Sequence, residues 1–375
     1  MPANGIELWL ANTADATGNP QKVLPGKAKG GDGPCRRSAD LHSGIDDDDD
    51  LDQEPSEPSS SRSTTTWSIR SMRFLLESAG IIRDASELVD LPADAHNLYS
   101  FIDDVSYGGT PYVPEAIQVL SISITTLCLS CDRMPLPIAN HLHLSNYHLE
   151  PEAAIVEFQT LSDILDEARR CDINDVLESH WNSAVNYPLL RVALRSYPCD
   201  ANVKVWDVMG ATIIEEYVPH NLISNRPTQV DLCLALEPEV AMKNFISNND
   251  DTPINQTAYS PLYDRLITVA IKTKALAQNA TGTPQLLVWT RAWVSRIRHI
   301  APETTIPALP MIRIVRNDWY MSWAWMEGEI MRYSTDVRFG DTRSVRGMYQ
   351  ILAALRHLAD WIGNVFKPWA IRLFQ

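Results

Sequence analysis

The order of patterned segments predicts an α/β or α+β domain of about 300 residues. Three observations carry this. Helical periodicity dominates the first part of the patterned chain, and strands and helices mix in the rest. The hydrophobic content is 45% and the charged content 21%, ordinary for a globular protein with a sizeable core. Ten of the eleven tryptophans lie from Trp67 onward, so the core begins near there.

Residues 1–66 are rich in Gly, Pro, Ser, Asp and Thr and include the run Asp46–Asp50. Such a stretch buries too little apolar surface to offset its lost entropy, and a disordered acidic arm is expected. Residues 67–80 follow with Ile69, Met72, Leu75 and Leu76 on one helical face, and Thr66 as a candidate N-cap. Pro114 opens a further helix. Residues 151–170 read as a long amphipathic helix, and residues 173–195 as another, bent or divided at Pro188.

Residues 203–208 and 211–217 flank Met209-Gly210 and predict a hairpin. Strands are expected at 230–236 and 266–275, and a helix at 285–300 with Leu286, Trp289, Trp293 and Ile297 apolar. Residues 311–328 predict a second hairpin turning at Asn317-Asp318, and 344–366 a closing helix.

The formal net charge is −15 and it is uneven. Residues 1–66 carry 6 basic and 12 acidic residues, whereas 285–375 carry 12 basic and 7 acidic. The acidic whole argues against non-specific nucleic-acid binding, while the basic C-terminal third allows a local phosphate-facing surface. No run of 18 apolar residues and no secretory leader is seen, and the six cysteines are few for a long chain. Reduced thiols and a nuclear or cytoplasmic location are expected, with no membrane partner.

The chemistry centres on the strands. Asp231 opens a strand of otherwise apolar residues, where a lone carboxylate is costly unless paired or metal-bound. Lys272 and Lys274 lie two apart in LITVAIKTKA and share one face of the sheet. Glu178 lies on the helix entering the sheet, and Gln285 opens the helix after the lysine strand. Carboxylates that hold Mg²⁺ and a lysine that positions water suit phosphodiester hydrolysis. A buried ion-pair network is the structural alternative.

This order resembles the PD-(D/E)XK nuclease superfamily, specifically its fungal nuclease-like branch. The resemblance is carried by ESHWNSAVNYPLL, VPHNLISNRPTQVDLCLALEP, INQTAYSPLYDRLITVAIKTK, QLLVWTRAWVSRI, LPMIRIVRNDWYMSWAWMEG and TRSVRGMYQILAALRHLADWI, from roughly residue 70 to the C-terminus. It implies a restriction-endonuclease-like core, a central mixed sheet flanked by helices, with extra N-terminal helices. It implies Asp231 as strand aspartate and metal ligand, Glu178 as the helix carboxylate orienting metal or water, Lys274 as the motif lysine, and Gln285 as its partner or a substrate contact.

Lys272 breaks the pattern: the element reads KTK where the family has an acid two residues before its lysine. An ammonium has only donors and repels a cation, so any Mg²⁺ site is weakened. Asp231 and Lys272 are candidates for an ion pair instead, and Glu215 or Glu216 on the preceding strand for a migrated carboxylate. Two functions follow: a Mg²⁺-dependent phosphodiester hydrolase acting on DNA or RNA, or a catalytically silent descendant binding nucleic acid or a protein partner.

Cys128 and Cys131, followed by His141, His143 and His148, invite zinc, but the cysteines sit in an apolar run and zinc is not expected. Trp289, Trp293, Trp319, Trp323 and Trp325 are candidates to stack bases, although core packing is the commoner role. Arg291, Arg296, Arg298, Arg313 and Arg316 are candidate phosphate contacts.

Overall fold

A computed structural model describes residues 69–83, 91–108, 149–195, 202–219, 229–249, 252–275 and 282–375, all within a compact unit running from Thr64 to Gln375. The acidic arm, the helix expected at Pro114 and the Cys128–His148 cluster lie outside the described residues.

The chain opens with α1 (Ile69–Ser78), β1 (Ile81–Arg83) and α2 (Ala93–Tyr107). Helix α2 buries Ala95, Leu98, Ile102 and Val105 on one stripe. Helix α3 (Pro151–Asn174) starts on a proline, whose missing N–H is spare in a first turn, and ends where Asp175 turns left-handed at φ 48°.

Pro188 does not divide the next helix. The chain runs from α4 (Glu178–Trp181) through a π-turn (Asn182–Asn186) into α5 (Tyr187–Arg195). In an α-helix the proline ring would strike the carbonyl four residues back. The wider π-turn avoids this, and the N–H of Tyr187 reaches five residues back to Asn182. The same device recurs at the C-terminus. Helix α8 (Val345–Trp361) passes through a π-turn (Ile362–Phe366) into α9 (Lys367–Leu373), where Lys367 N–H bonds Ile362 and Pro368 follows. Trp181 precedes Pro188 by the same interval that separates Trp361 from Pro368.

The remaining strands are β2 (Val203–Asp207), β3 (Leu232–Leu236), β4 (Ile267–Lys274), β5 (Leu309–Val315), β6 (Asp318–Glu327), β7 (Ile330–Tyr333) and β8 (Val337–Asp341). They form one eight-stranded sheet in the order β1-β7-β6-β5-β4-β3-β2, with β8 also on β6. The sheet is mixed: β1–β7 and β4–β5 are parallel and the other pairs antiparallel. Helix α6 (Val240–Asn248) follows β3, and α7 (Thr283–Ile300) packs on β4 and β5. Helix α8 packs on β8, α2 and α5. The expected α/β sheet with flanking helices is what forms.

Two local expectations are corrected. Residues 211–217 make no strand. The partner of β2 is β3, and Glu215–Tyr217 form a 3₁₀ turn that buries Tyr217. The β5–β6 turn comes one residue early, at Arg316-Asn317, because Val315 pairs with Asp318 and Arg316 takes φ 52°.

The five candidate base-stacking tryptophans pack as core. Trp289, Trp293, Trp319 and Trp323 are buried, and Trp325 is partly exposed. Between α3 and α8 the core holds a buried ion pair, Glu157 with Arg356. Burial, the largest influence on Glu157, pushes its carboxyl above the usual range even though Arg356 pulls it back.

Candidate functional site

Seven of the eight residues of β4 are buried, as befits a central strand. Lys272 is only 7% exposed, so its ammonium must be satisfied in place. The antiparallel register supplies the partner. Leu232 pairs with Ile271, which sets the preceding Asp231 opposite Lys272. Lys272 Nζ donates to Asp231 Oδ1 at 2.7 Å. Thr273 donates to Oδ2 twice, from its backbone N–H at 2.6 Å and its hydroxyl at 2.8 Å. Three donors thus converge on one buried carboxylate, which is what makes its burial tolerable.

Lys274 ends the strand. Its Nζ donates to Glu178 Oε1 at 3.2 Å, with side-chain exposures of 17% and 36%. This pair is wetter than the first, and its contribution to stability is correspondingly small.

Arg316 fixes the corner that presents Glu178. Its backbone N–H donates to the Lys274 carbonyl at 2.8 Å. Its guanidinium reaches Asp172 at 3.1 Å and Asp175 at 3.4 Å, at the C-terminal end of α3 just before Glu178. One residue therefore ties the end of the lysine strand to the approach of the helix that opposes it.

The start of α7 closes the site. Gly282 caps this helix at φ 71°, and a Cβ there would lie 3.0 Å from Lys272 Cγ and 3.7 Å from Lys274 Cγ. Glycine is required for the left-handed turn and for the close approach. Gln285 sits in the first turn, and its Oε1 is buried with no hydrogen-bond partner among the described residues. The N-terminal end of α7, the positive end of its dipole, thus lies on the two-lysine face.

Asp231, Lys272, Lys274 and Glu178 therefore gather at one end of β4, and Gln285 lies in the first turn of the helix that starts there. Sequence reasoning missed Thr273, Gly282 and the role of Arg316. It also missed Asn182 and Asn186, which follow Glu178 at intervals of four. Both are buried, and Asn186 donates to Asn182 Oδ1 at 2.9 Å. The only signal for these two was their helical spacing from Glu178.

The donor set does not fit a divalent cation, which asks for several free oxygen ligands. Asp231 already accepts from three donors, one of them the Lys272 ammonium, and Glu178 is engaged by Lys274. Among the described residues no three His, Cys, Asp or Glu side chains come together as a metal group. A dication on Asp231 would sit about 4 Å from the Lys272 ammonium, a repulsion of roughly 8 kcal/mol at an effective dielectric of about 20. The migrated-carboxylate expectation is also corrected. Glu215 and Glu216 lie on a 3₁₀ turn, and Glu216 pairs at 3.4 Å with His299 in the last turn of α7. That turn is about 25 Å along the helix from Gly282.

The five candidate arginines are all engaged within the chain. Arg296 is buried against the Pro253 carbonyl and the Tyr217 hydroxyl. Arg291 and Arg298 reach the Gly328–Glu329 turn, and Arg313 pairs with Asp336 at 2.7 Å. Burial lowers the Arg291 guanidinium below its ordinary range.

Comparison with known proteins adds one finding to this geometry. The PD-(D/E)XK nuclease superfamily matches residues 138–367, more than half of the chain and the whole of the β2–β8 sheet region with the site. No curated protein and no solved structure matches the chain. A mixed sheet flanked by helices, with an aspartate, a lysine strand and a helix carboxylate meeting at one end of its central strands, agrees with that match: the chain belongs to the PD-(D/E)XK nuclease superfamily.

Proposed function

We propose that this domain is a catalytically silent nuclease-fold module that binds nucleic acid at the end of β4. The observation that carries the reading is the Lys272–Asp231 pair, which engages the carboxylate a metal-dependent hydrolase would need free. Lys274 is the group left to meet a phosphodiester. It is partly exposed, and Glu178, its partner among the described residues, is more exposed still. A phosphate approaching Lys274 displaces a weak, hydrated contact and gains a charge-assisted one. The start of α7 adds its dipole on the same side.

A second reading is the metal-dependent hydrolase. It is favoured by the Glu178–Lys274 pair, which keeps helix carboxylate and motif lysine together, and by Gln285, in the first turn of the helix that starts beside both lysines. In that reading Asp231 and Glu178 would hold Mg²⁺, which would supply Lewis acidity, and Lys274 would orient the attacking water. It requires Lys272 to leave Asp231.

The six sequence segments support a place in the fungal branch. The two described cysteines, Cys171 and Cys233, are free and buried, which favours a reducing compartment, nucleus or cytoplasm. No helix among the described residues is long and apolar enough to cross a membrane.

Cleavage and binding assays on plasmid, single-stranded DNA and single-stranded RNA with Mg²⁺ or Mn²⁺ test the choice. Binding without cutting by wild type, weakened in Lys274→Ala, supports the silent module. Metal-dependent cutting by wild type that disappears in Lys274→Ala supports the hydrolase.

A further inference from the structure

We infer that Lys272 is the resident cation of the pocket, standing on Asp231 where a divalent ion would otherwise be held, so that the pocket meets a phosphate ester with the Lys274 ammonium and no metal. The inference rests on the reading of the β4 end as the phosphate site.

The geometry argues it in three steps. First, charge is balanced without any added ion. Lys272 and Lys274 face Asp231 and Glu178 one to one, at 2.7 and 3.2 Å. Second, the Lys272–Asp231 contact is built in. Lys272 and Asp231 lie opposite each other across adjacent strands, Thr273 holds the other carboxylate oxygen, and the start of α7 covers the aliphatic stem of Lys272. The glycine at 282 makes room for that stem. Third, the ammonium offers donors only, so it fills the electrostatic part of a metal and cannot activate a bound water. A site of this kind offers a phosphate the Lys274 ammonium in exchange for Glu178 and lacks the group that would generate the nucleophile. Nucleic-acid binding by this domain then does not require Mg²⁺ and persists in the presence of chelators, with Mg²⁺ acting only as a competing counterion.

Isothermal titration of the full chain with Mn²⁺ alone, free of nucleic acid, tests it. Wild type is expected to show no saturable binding at this site. Lys272→Glu removes the ammonium and adds an oxygen ligand beside Asp231, and is expected to gain a single Mn²⁺ site at least tenfold tighter than any wild-type binding. Because that variant places two carboxylates together and is prone to misfold without metal, Lys272→Gln serves as a second probe. It keeps a donor for Asp231 while removing the charge, and circular dichroism checks its fold. It is expected to gain weaker Mn²⁺ binding, lost again in the Asp231→Asn/Lys272→Gln double variant. Mn²⁺ binding by wild type that Asp231→Asn abolishes overturns the inference. So does the absence of Mn²⁺ binding in a folded Lys272→Glu or Lys272→Gln protein. A separate titration with a single-stranded oligonucleotide in EDTA tells the two readings apart. No oligonucleotide binding under any condition defeats the phosphate-site reading, whereas binding that requires Mg²⁺ defeats the resident-cation inference alone.

Discussion

Lys272 Nζ and Asp231 Oδ1 lie 2.7 Å apart across two antiparallel strands, each side chain less than a tenth exposed. A buried pair of this kind is costly to break from one side and cheap to replace whole. Lys272→Met or Asp231→Asn alone is predicted to lose about 3–5 kcal/mol of stability. The double variant is predicted to recover about 2 kcal/mol or more of the summed loss. Urea unfolding of the four proteins measures the coupling, and additive losses would show that the two groups do not interact.

Gly282→Ala puts a methyl group against the stem of Lys272 and forces a left-handed alanine. The predicted loss is about 1–2 kcal/mol. A change below about 0.5 kcal/mol in the same unfolding measurement would mean that the start of α7 does not press on the lysine strand.

Arg316→Ala removes the guanidinium that holds Asp172 and Asp175 but leaves the backbone bond to Lys274 intact. The global cost is predicted to be small, about 1–2 kcal/mol for exposed pairs taken together. The local effect is the informative one. With its corner released, Glu178 guards Lys274 less well, and acetylation of Lys274, followed by mass spectrometry, is predicted to quicken several-fold. Glu178→Gln serves as the positive control, and an unchanged rate in Arg316→Ala would remove the positioning role.

His357 stacks on Phe101 with ring centres 4.0 Å apart, and burial lowers its pKa below 6.5 while Asp360 opposes the shift. The unfolded chain therefore takes up this proton first. The stability this residue contributes is present above pH 6.5 and is lost as pH falls from there through its folded value. Thermal unfolding against pH is predicted to show that slope in wild type and a shallower one in His357→Gln. Identical slopes would place the titrating group elsewhere.

The site was legible in the sequence because its signals are local and chemically loud. A charged residue in an apolar strand has few explanations, and alternation alone puts Lys272 and Lys274 on one face. What escaped has a physical reason in each case. Residues 211–217 carry β-branched residues, but strand propensity alone does not make a strand: β2 pairs with β3, and the N–H of Ile214 bonds the Gln256 carbonyl instead. The strand β1 has three residues, and β7 and β8 carry arginines on short segments, so none stands out from loops. Pro188 reads as a break because a π-turn leaves no mark beyond the proline that calls for it. Arg316 reads as a phosphate ligand because a sequence cannot show that Asp172 and Asp175 wait beside it.

A crystal of the wild-type protein grown with excess Mn²⁺, with diffraction recorded at the manganese absorption edge, examines the Asp231 position directly. The account predicts no anomalous peak within coordination distance of Asp231 and the Lys272 ammonium in hydrogen-bond contact with its carboxylate. A manganese peak on Asp231, with Lys272 turned away, would contradict it.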